Sequence, residues 1–309
     1  MSSLHVSQLP DAPFGAEVTG WDPVREPTDE LVAELRGALA EHVLLVLRGQ
    51  QAPTDVELIR FAEAFGPLFD GGAIFGVTGR TKEILELSSE RNELGVEAGL
   101  AASTPLPWHT DYSYLPQAAR ETFLEAVRLP EGGGGHTWFC NLYDAWETLP
   151  AAQQAELQAY VGIHTIKGSG KHLERDDKVA MRTHQDRRNR EYRYPGDRVP
   201  ALHPLARRHP DTGRTALYVS SLVAGIEGVD EAAGRELLDE LVVHATRPER
   251  LYGHPWREGD LIIFDDVGTM HRRDSSDPEQ LRVMRQLSTM LTDTEGRLLH
   301  DETGALATV

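Results

Sequence analysis

Beyond Gly66 the sequence is cut into short apolar runs of strand length, separated by turn-forming residues, and this restricts the fold more than any other feature. The runs lie at Ile84–Leu87, Thr122–Val127, Thr137–Asn141, Val161–Ile166, Ala216–Val219, Leu261–Phe264 and Met284–Leu291. Many short strands with turns between them close most readily into a sandwich or a barrel-like jelly roll. The pattern is broken by an amphipathic helix expected over Asp230–Val243 and by the glycine run Gly132–Gly135, which reads as a turn. The first third differs. Thr28 can cap a helix bearing Leu31, Val32, Leu35 and Leu39, and Val43–Leu47 is a strand-length apolar run. Thr54 and Glu57 form a capping box that opens a second helix with Val56, Ile59, Phe61 and Phe65. The expected class is mainly β with flanking helices. No fixed-period repeat and no long Pro/Gly/Ser linker divides the chain, so residues 1–309 are expected to form a single domain. Two segments fit the strand scheme poorly, near 70–106 and 167–199, and are candidate lids over a site.

The charge balance narrows the partners. With 31 basic and 49 acidic residues the chain carries −18, which repels phosphate backbones, so nucleic-acid binding is not expected. No window approaches ~18 consecutive apolar residues, so no membrane span is expected. The first twenty residues lack a basic segment, which argues against a cleaved signal peptide. One cysteine, Cys140, can form neither an internal disulfide nor a thiolate metal cluster and reads as a small buried hydrophobe. A cytoplasmic protein acting on a small molecule, with homo-oligomers possible, is the expectation.

The sharpest chemical signal is Trp108-His109-Thr110-Asp111. On a strand, residues two apart share a face, so His109 and Asp111 can converge on one metal ion. His271, in GTMHRR after the run LIIFDD, is the candidate third ligand. Two histidines and one carboxylate leave coordination positions open, the arrangement used by non-haem Fe(II) oxygenases.

Further motifs follow in order: GAEVTGWD, FAEAFGPL, the HTD pair, LPEGGGGHTWFCNLYDAWETLP, HPLARRHPDTGRTALYV and the strand LRVMRQLSTM after His271. From about Gly15 to about Leu291 the chain resembles the taurine dioxygenase / 2,4-dichlorophenoxyacetate dioxygenase family. The resemblance implies a double-stranded β-helix (a cupin-like jelly roll), with Fe(II), 2-oxoglutarate as cosubstrate, and O2. It implies oxidation, by default hydroxylation, of an unactivated C–H in a small-molecule metabolite, with release of succinate and CO2. Desaturation or another oxidative rearrangement in specialised metabolism can follow the same first step. It places the metal ligands on His109, Asp111 and His271, and the clamp for the cosubstrate's carboxylate on Thr137 and Arg282. A planar guanidinium suits that task. Arg285 competes for it, although odd spacing puts it on the opposite strand face. Halogenating relatives lack the metal carboxylate, so Asp111 argues against halogenation. Tyr112, Tyr114, Phe69 and Phe75 are candidates for pocket walls. One departure bears on substrate: members grip the substrate's sulfonate or carboxylate with a second Arg four residues after the first, and here that residue is Gln286. A neutral amide cannot balance a buried anion, which points to a larger neutral or zwitterionic substrate. The rival readings are a non-oxidative cupin-like metalloenzyme and a non-catalytic binding module.

Overall fold

The computed structural model describes residues 4–70, 81–90, 103–165 and 200–292. In chain order the strands and helices are β1 (His5–Gln8), β2 (Ala16–Thr19), α1 (Asp29–His42), β3 (Leu44–Leu47), α2 (Asp55–Glu63), β4 (Leu85–Ser88), β5 (Leu106–His109), β6 (Ala119–Arg128), β7 (Thr137–Asn141), α3 (Leu142–Glu147) and α4 (Ala151–Leu157). There follow β8 (Val161–His164), β9 (Ala201–Pro204), β10 (Ala206–Arg208), β11 (Thr215–Leu217), β12 (Val223–Ile226), α5 (Glu231–Ala245), β13 (Leu251–His254), β14 (Leu261–Asp265), β15 (Thr269–Arg273) and β16 (Val283–Met290).

Two sheets carry the architecture. The larger has seven strands in the order β1-β2-β3-β14-β6-β16-β4, and the smaller has four in the order β13-β7-β15-β5. Alternation along the strands sorts residues to the two faces of the large sheet. Leu124, Ala126, Ile262, Phe264 and Met284 turn inward and pack with Phe139, Cys140 and Met270 of the small sheet. Phe123, Ile263 and Leu287 turn outward onto Leu35, Leu39, Leu58, Phe61 and Phe65 of the helical layer. This is a jelly roll with helices laid on one face. A three-stranded sheet β12-β8-β9 and the pair β10-β11 extend it.

The helix starts follow their capping residues. Thr28 Oγ1 accepts from Leu31 N at 3.2 Å, and Thr54 and Glu57 form the full capping box. Two details correct the sequence reading. Val43 is not in a strand: it ends α1 with φ 69°, and its N–H closes on Leu39 O at 2.7 Å. Val56 does not face the core; it is exposed, and the buried face of α2 is Leu58, Phe61 and Ala62. Of the expected strands, Val161–Ile166 stops at His164, and Thr122–Val127 is the middle of the longer β6. The short helices α3 and α4 had no counterpart in the reading. Segment 167–199 and Phe75 lie outside the described residues, as do 71–80 and 91–102 of the other candidate lid, whose described part holds β4.

Candidate active site

Antiparallel pairing places β15 between β7 and β5, with His271 opposite His109 on one side and Phe139 on the other. The two imidazoles are cross-strand neighbours, their ring centroids 4.1 Å apart. Asp111 does not lie on the strand, as the i, i+2 argument required. β5 ends at His109, and Asp111 reaches the same point from the following turn, where Tyr112 takes φ 53°. The convergence expected from the spacing is thus produced by a turn rather than by strand alternation.

The ligand atoms of His109, Asp111 and His271 all lie within 4.8 Å of one another. His109 Nε2 is 3.5 Å from Asp111 Oδ1, and His271 Nε2 is 3.9 Å from Asp111 Oδ2. An ion about 2.1 Å from each donor asks for donors roughly 3–4 Å apart. His109 Nδ1 donates to Pro107 O at 2.7 Å, which leaves Nε2 as the bare nitrogen facing Asp111. His271 is buried against Phe139 and Phe264, and burial together with His109 lowers its pKa to about 3. It is therefore neutral at physiological pH, with a lone pair free. Burial works against the Asp111 carboxylate, but His271, His109 and the Thr122 hydroxyl outweigh it and hold its pKa below the ordinary value. The donor set suits a divalent transition metal.

A polar floor lies behind the triad. Thr122 Oγ1 is 2.6 Å from Asp266 Oδ2, 2.6 Å from Ser288 Oγ and 3.5 Å from Asp111 Oδ2. Asp266 is fully buried, and burial together with the neighbouring Asp111 raises its carboxyl well above the usual range. Gln286 projects inward from β16 and donates from Nε2 to Asp111 Oδ2 at 2.6 Å. That side chain was expected to face the site, but its bond to Asp111 was not foreseen. Neither were Asp266, Thr122 or Ser288; a sequence shows no cue linking residues 144 or more positions apart across a sheet.

Arg282 is the largest fully buried side chain, 1% exposed. Its Nε and Nη1 have no partner, and Nη2 makes a 3.4 Å contact to Gly135 O. Burial lowers its pKa to about 10, so it is still charged at neutral pH. A buried cation without a carboxylate is costly, and this one suits an anionic ligand. Gly135 makes room for it: its φ is +65°, and a Cβ there would meet Arg282 Nε at 2.9 Å. Two residues on, buried Thr137 accepts from Trp256 Nε1 at 3.0 Å, leaving its own proton free to donate. Arg285 points the other way, to Glu125 Oε2 and Asp55 Oδ1, each at 2.6 Å from Nε and Nη1. Tyr112 sits beside Asp111 but is buried, stacked on Phe69 at 4.2 Å and clustered with Tyr114. Cys140 is buried, as expected.

The chain is similar to proteins of known family. Residues 5–288 match the family described as taurine catabolism dioxygenase TauD, TfdA family. The chain is 34% identical over 299 residues to pentalenolactone F synthase of Streptomyces arenae, covering 95% of this chain and 97% of that one. It is 32% identical over 273 residues to an alpha-ketoglutarate-dependent 2,4-dichlorophenoxyacetate dioxygenase of Cupriavidus pinatubonensis, covering 84% and 88%. Among solved structures it superposes on a taurine dioxygenase from Burkholderia xenovorans with a TM-score of 0.74 at 26% identity, covering 96% and 93%. It also superposes on AAD-2 in complex with Mn(II) and N-oxalylglycine, with a TM-score of 0.72 at 27% identity, covering 94% and 98%. The chain belongs to the TauD, TfdA family of dioxygenases.

Proposed function

We propose that His109, Asp111 and His271 hold Fe(II), and that Arg282 with Thr137 holds the far carboxylate of 2-oxoglutarate, in an oxygenase acting on a metabolite of specialised metabolism. The enzyme class follows from the family: the chain is an Fe(II)- and 2-oxoglutarate-dependent dioxygenase of a small molecule. The observation that carries the residue roles is the buried Arg282 guanidinium, whose Nε and Nη1 have no partner among the described residues. When bound, the iron, the 2-oxo acid and O2 together supply the oxidising power, and the cosubstrate leaves as succinate and CO2.

The protein's own part is to bind and orient. His109 is kept in one tautomer by Pro107 O, and His271 is kept neutral and dry by Phe139 and Phe264. Arg282 supplies a fixed positive fork, and Thr137 a hydroxyl proton, to one end of the cosubstrate. Tyr112, next to Asp111 in the turn, is held in place by stacking on Phe69.

The substrate reading rests on Gln286. One proton of its Nε2 is given to Asp111, so the amide still offers a carbonyl and a single N–H, and neither carries the charge that would balance an anion. This supports a neutral or zwitterionic substrate that offers a hydroxyl or N–H, rather than a sulfonate or aryloxyacetate held at this position. The likeness to two pentalenolactone F synthases supports a role in specialised metabolism. We further take residues 1–309 as one oxygenase domain, and the cytoplasm as its location, in keeping with a lone buried cysteine. Among the described residues no helix is long and apolar enough to cross a membrane.

The test is to load the protein with Fe(II) and 2-oxoglutarate without oxygen, admit air with each member of a metabolite panel, and quantify succinate and product. The panel includes taurine, longer alkylsulfonates, 2,4-dichlorophenoxyacetate and pentalenolactone-type compounds. One succinate per hydroxylated taurine or dichlorophenoxyacetate would overturn the substrate reading. No succinate with any compound, and no slow uncoupled release, would overturn the assignment of roles.

A further inference from the structure

We infer that Gln286 is a positioning residue for Asp111: its amide claims Oδ2 and so leaves Oδ1 as the carboxylate oxygen turned toward His109. The inference rests on the metal-site reading above and goes beyond it, because Gln286 touches a ligand and not the ion.

Three observations carry it. The first is the contact itself: Gln286 Nε2 lies 2.6 Å from Asp111 Oδ2. A carboxylate can only accept, so the amide's NH2 end must be the one facing it, whatever way round an amide is otherwise drawn. The second is the lack of an equal competitor. The Thr122 hydroxyl is 3.5 Å from the same oxygen but 2.6 Å from Asp266 Oδ2, and it has a single proton to give. Gln286 is therefore the strong side-chain donor to Oδ2 among the described residues.

The third is where each partner is mounted. Asp111 sits in the turn after β5, so no ladder fixes its side chain. Gln286 sits on β16 inside the large sheet, paired to Leu124 of β6 and Leu85 of β4. The rigid strand thereby sets the rotamer of the turn residue. With Oδ2 held, Oδ1 is the oxygen left for an ion, 3.5 Å from His109 Nε2. A carboxylate free to rotate would offer either oxygen, or both, and take up coordination positions that the cosubstrate and O2 need.

Partners of this kind are worth about 10- to 100-fold in metal affinity. The experiment is an anaerobic titration of the metal-free full-length chain with Mn(II), followed by paramagnetic resonance of the free ion. The proteins are wild type, Gln286→Leu, Gln286→Glu, His109→Ala, Asp111→Ala, and Gln286→Leu combined with Asp111→Ala. Gln286→Glu is almost isosteric and swaps the donor for an acceptor, and far-ultraviolet circular dichroism confirms folding of each variant.

The expected result is a ~10- to 100-fold weaker Mn(II) constant in both Gln286→Leu and Gln286→Glu, with no added loss when Asp111 is already gone. In turnover the same variants should release more succinate per product than wild type. An unchanged Mn(II) constant in both Gln286 variants, with His109→Ala abolishing binding, would overturn the inference and leave the metal site standing. Tight Mn(II) binding that survives His109→Ala would overturn the metal-site reading, and the inference with it.

Discussion

Two arginines three residues apart, Arg282 just before β16 and Arg285 on it, are treated in opposite ways. Arg285 turns outward to the helical layer, where it bonds Glu125 Oε2, Asp55 Oδ1 and the Pro53 carbonyl, each at 2.6–2.7 Å. Arg282 turns inward beside the glycine-rich turn, where Nε and Nη1 meet no acceptor. Arg282 is buried and Arg285 half-buried, so removal from water alone does not separate a structural charge from a functional one. The difference lies in whether the protein supplies the counter-charge. A charge satisfied by its own fold holds elements together, and one left unsatisfied is kept for something that arrives.

The contrast can be broken by substitution. The largest effect is expected at the three residues whose ligand atoms converge on one point. His109→Ala, Asp111→Ala and His271→Ala should each abolish succinate formation while the thermal midpoint stays close to wild type. Activity retained with stoichiometric iron in all three would remove the triad from the mechanism.

The next two expectations cross. Arg285→Leu should destabilise the fold by about 3–5 kcal/mol, because Glu125 is left buried without its partner. Its 2-oxoglutarate dependence should not change. Arg282→Leu should leave stability equal or higher in the absence of ligand, since an uncompensated charge is removed. Its cosubstrate affinity should fall by about 10- to 150-fold, the worth of a 1.5–3 kcal/mol charge-assisted pair. Urea melts alongside cosubstrate titrations read both; if the two variants exchanged phenotypes, the roles would have to be exchanged too.

Thr137→Ala should act in the same direction as Arg282→Leu but more weakly, by roughly 2- to 10-fold, as one neutral hydrogen bond is lost. An unchanged 2-oxoglutarate constant would reduce Thr137 to the acceptor of the Trp256 bond.

The smallest effect concerns a second fully partnered charge. Asp260 receives Arg48 at 2.8 and 2.9 Å and His254 at 2.8 Å, and despite burial these hold its pKa at about 2. An unfolded Asp titrates near ~3.9, so the folded state gains stability above about pH 4 and loses it as pH falls toward 2. In Asp260→Asn that part of the acid limb should flatten; an unaltered acid profile would show that the cluster does not couple folding to protons.

How much of this could be read from the sequence depended on distance along the chain. The N-caps Thr28 and Thr54 were legible because each cap bonds a residue three positions on. The opposed faces of Arg285 and Gln286 on β16 were legible because strand parity is local. His109 and Asp111 were rightly expected to converge, although a turn and not a strand brings them together. Val43 and Val56 misled: apolar side chains were assigned by run and period, while a left-handed cap and an exposed helix face decided their placement. The Gln286–Asp111 bond and the Asp266–Thr122–Ser288 floor were not legible at all. They join strands distant in sequence through the register of β16 on β6, and that register exists only after folding.

The central claim is that the unpaired Arg282 is the cosubstrate's anchor beside the metal ligands. Calorimetric titration of 2-oxoglutarate into the Mn(II)-loaded protein without oxygen tests it most directly, comparing wild type, Arg282→Leu and Arg285→Leu. One equivalent should bind to wild type and to Arg285→Leu with the same constant, and about 10- to 150-fold more weakly to Arg282→Leu at unchanged Mn(II) affinity. Equal 2-oxoglutarate binding in wild type and Arg282→Leu would contradict it.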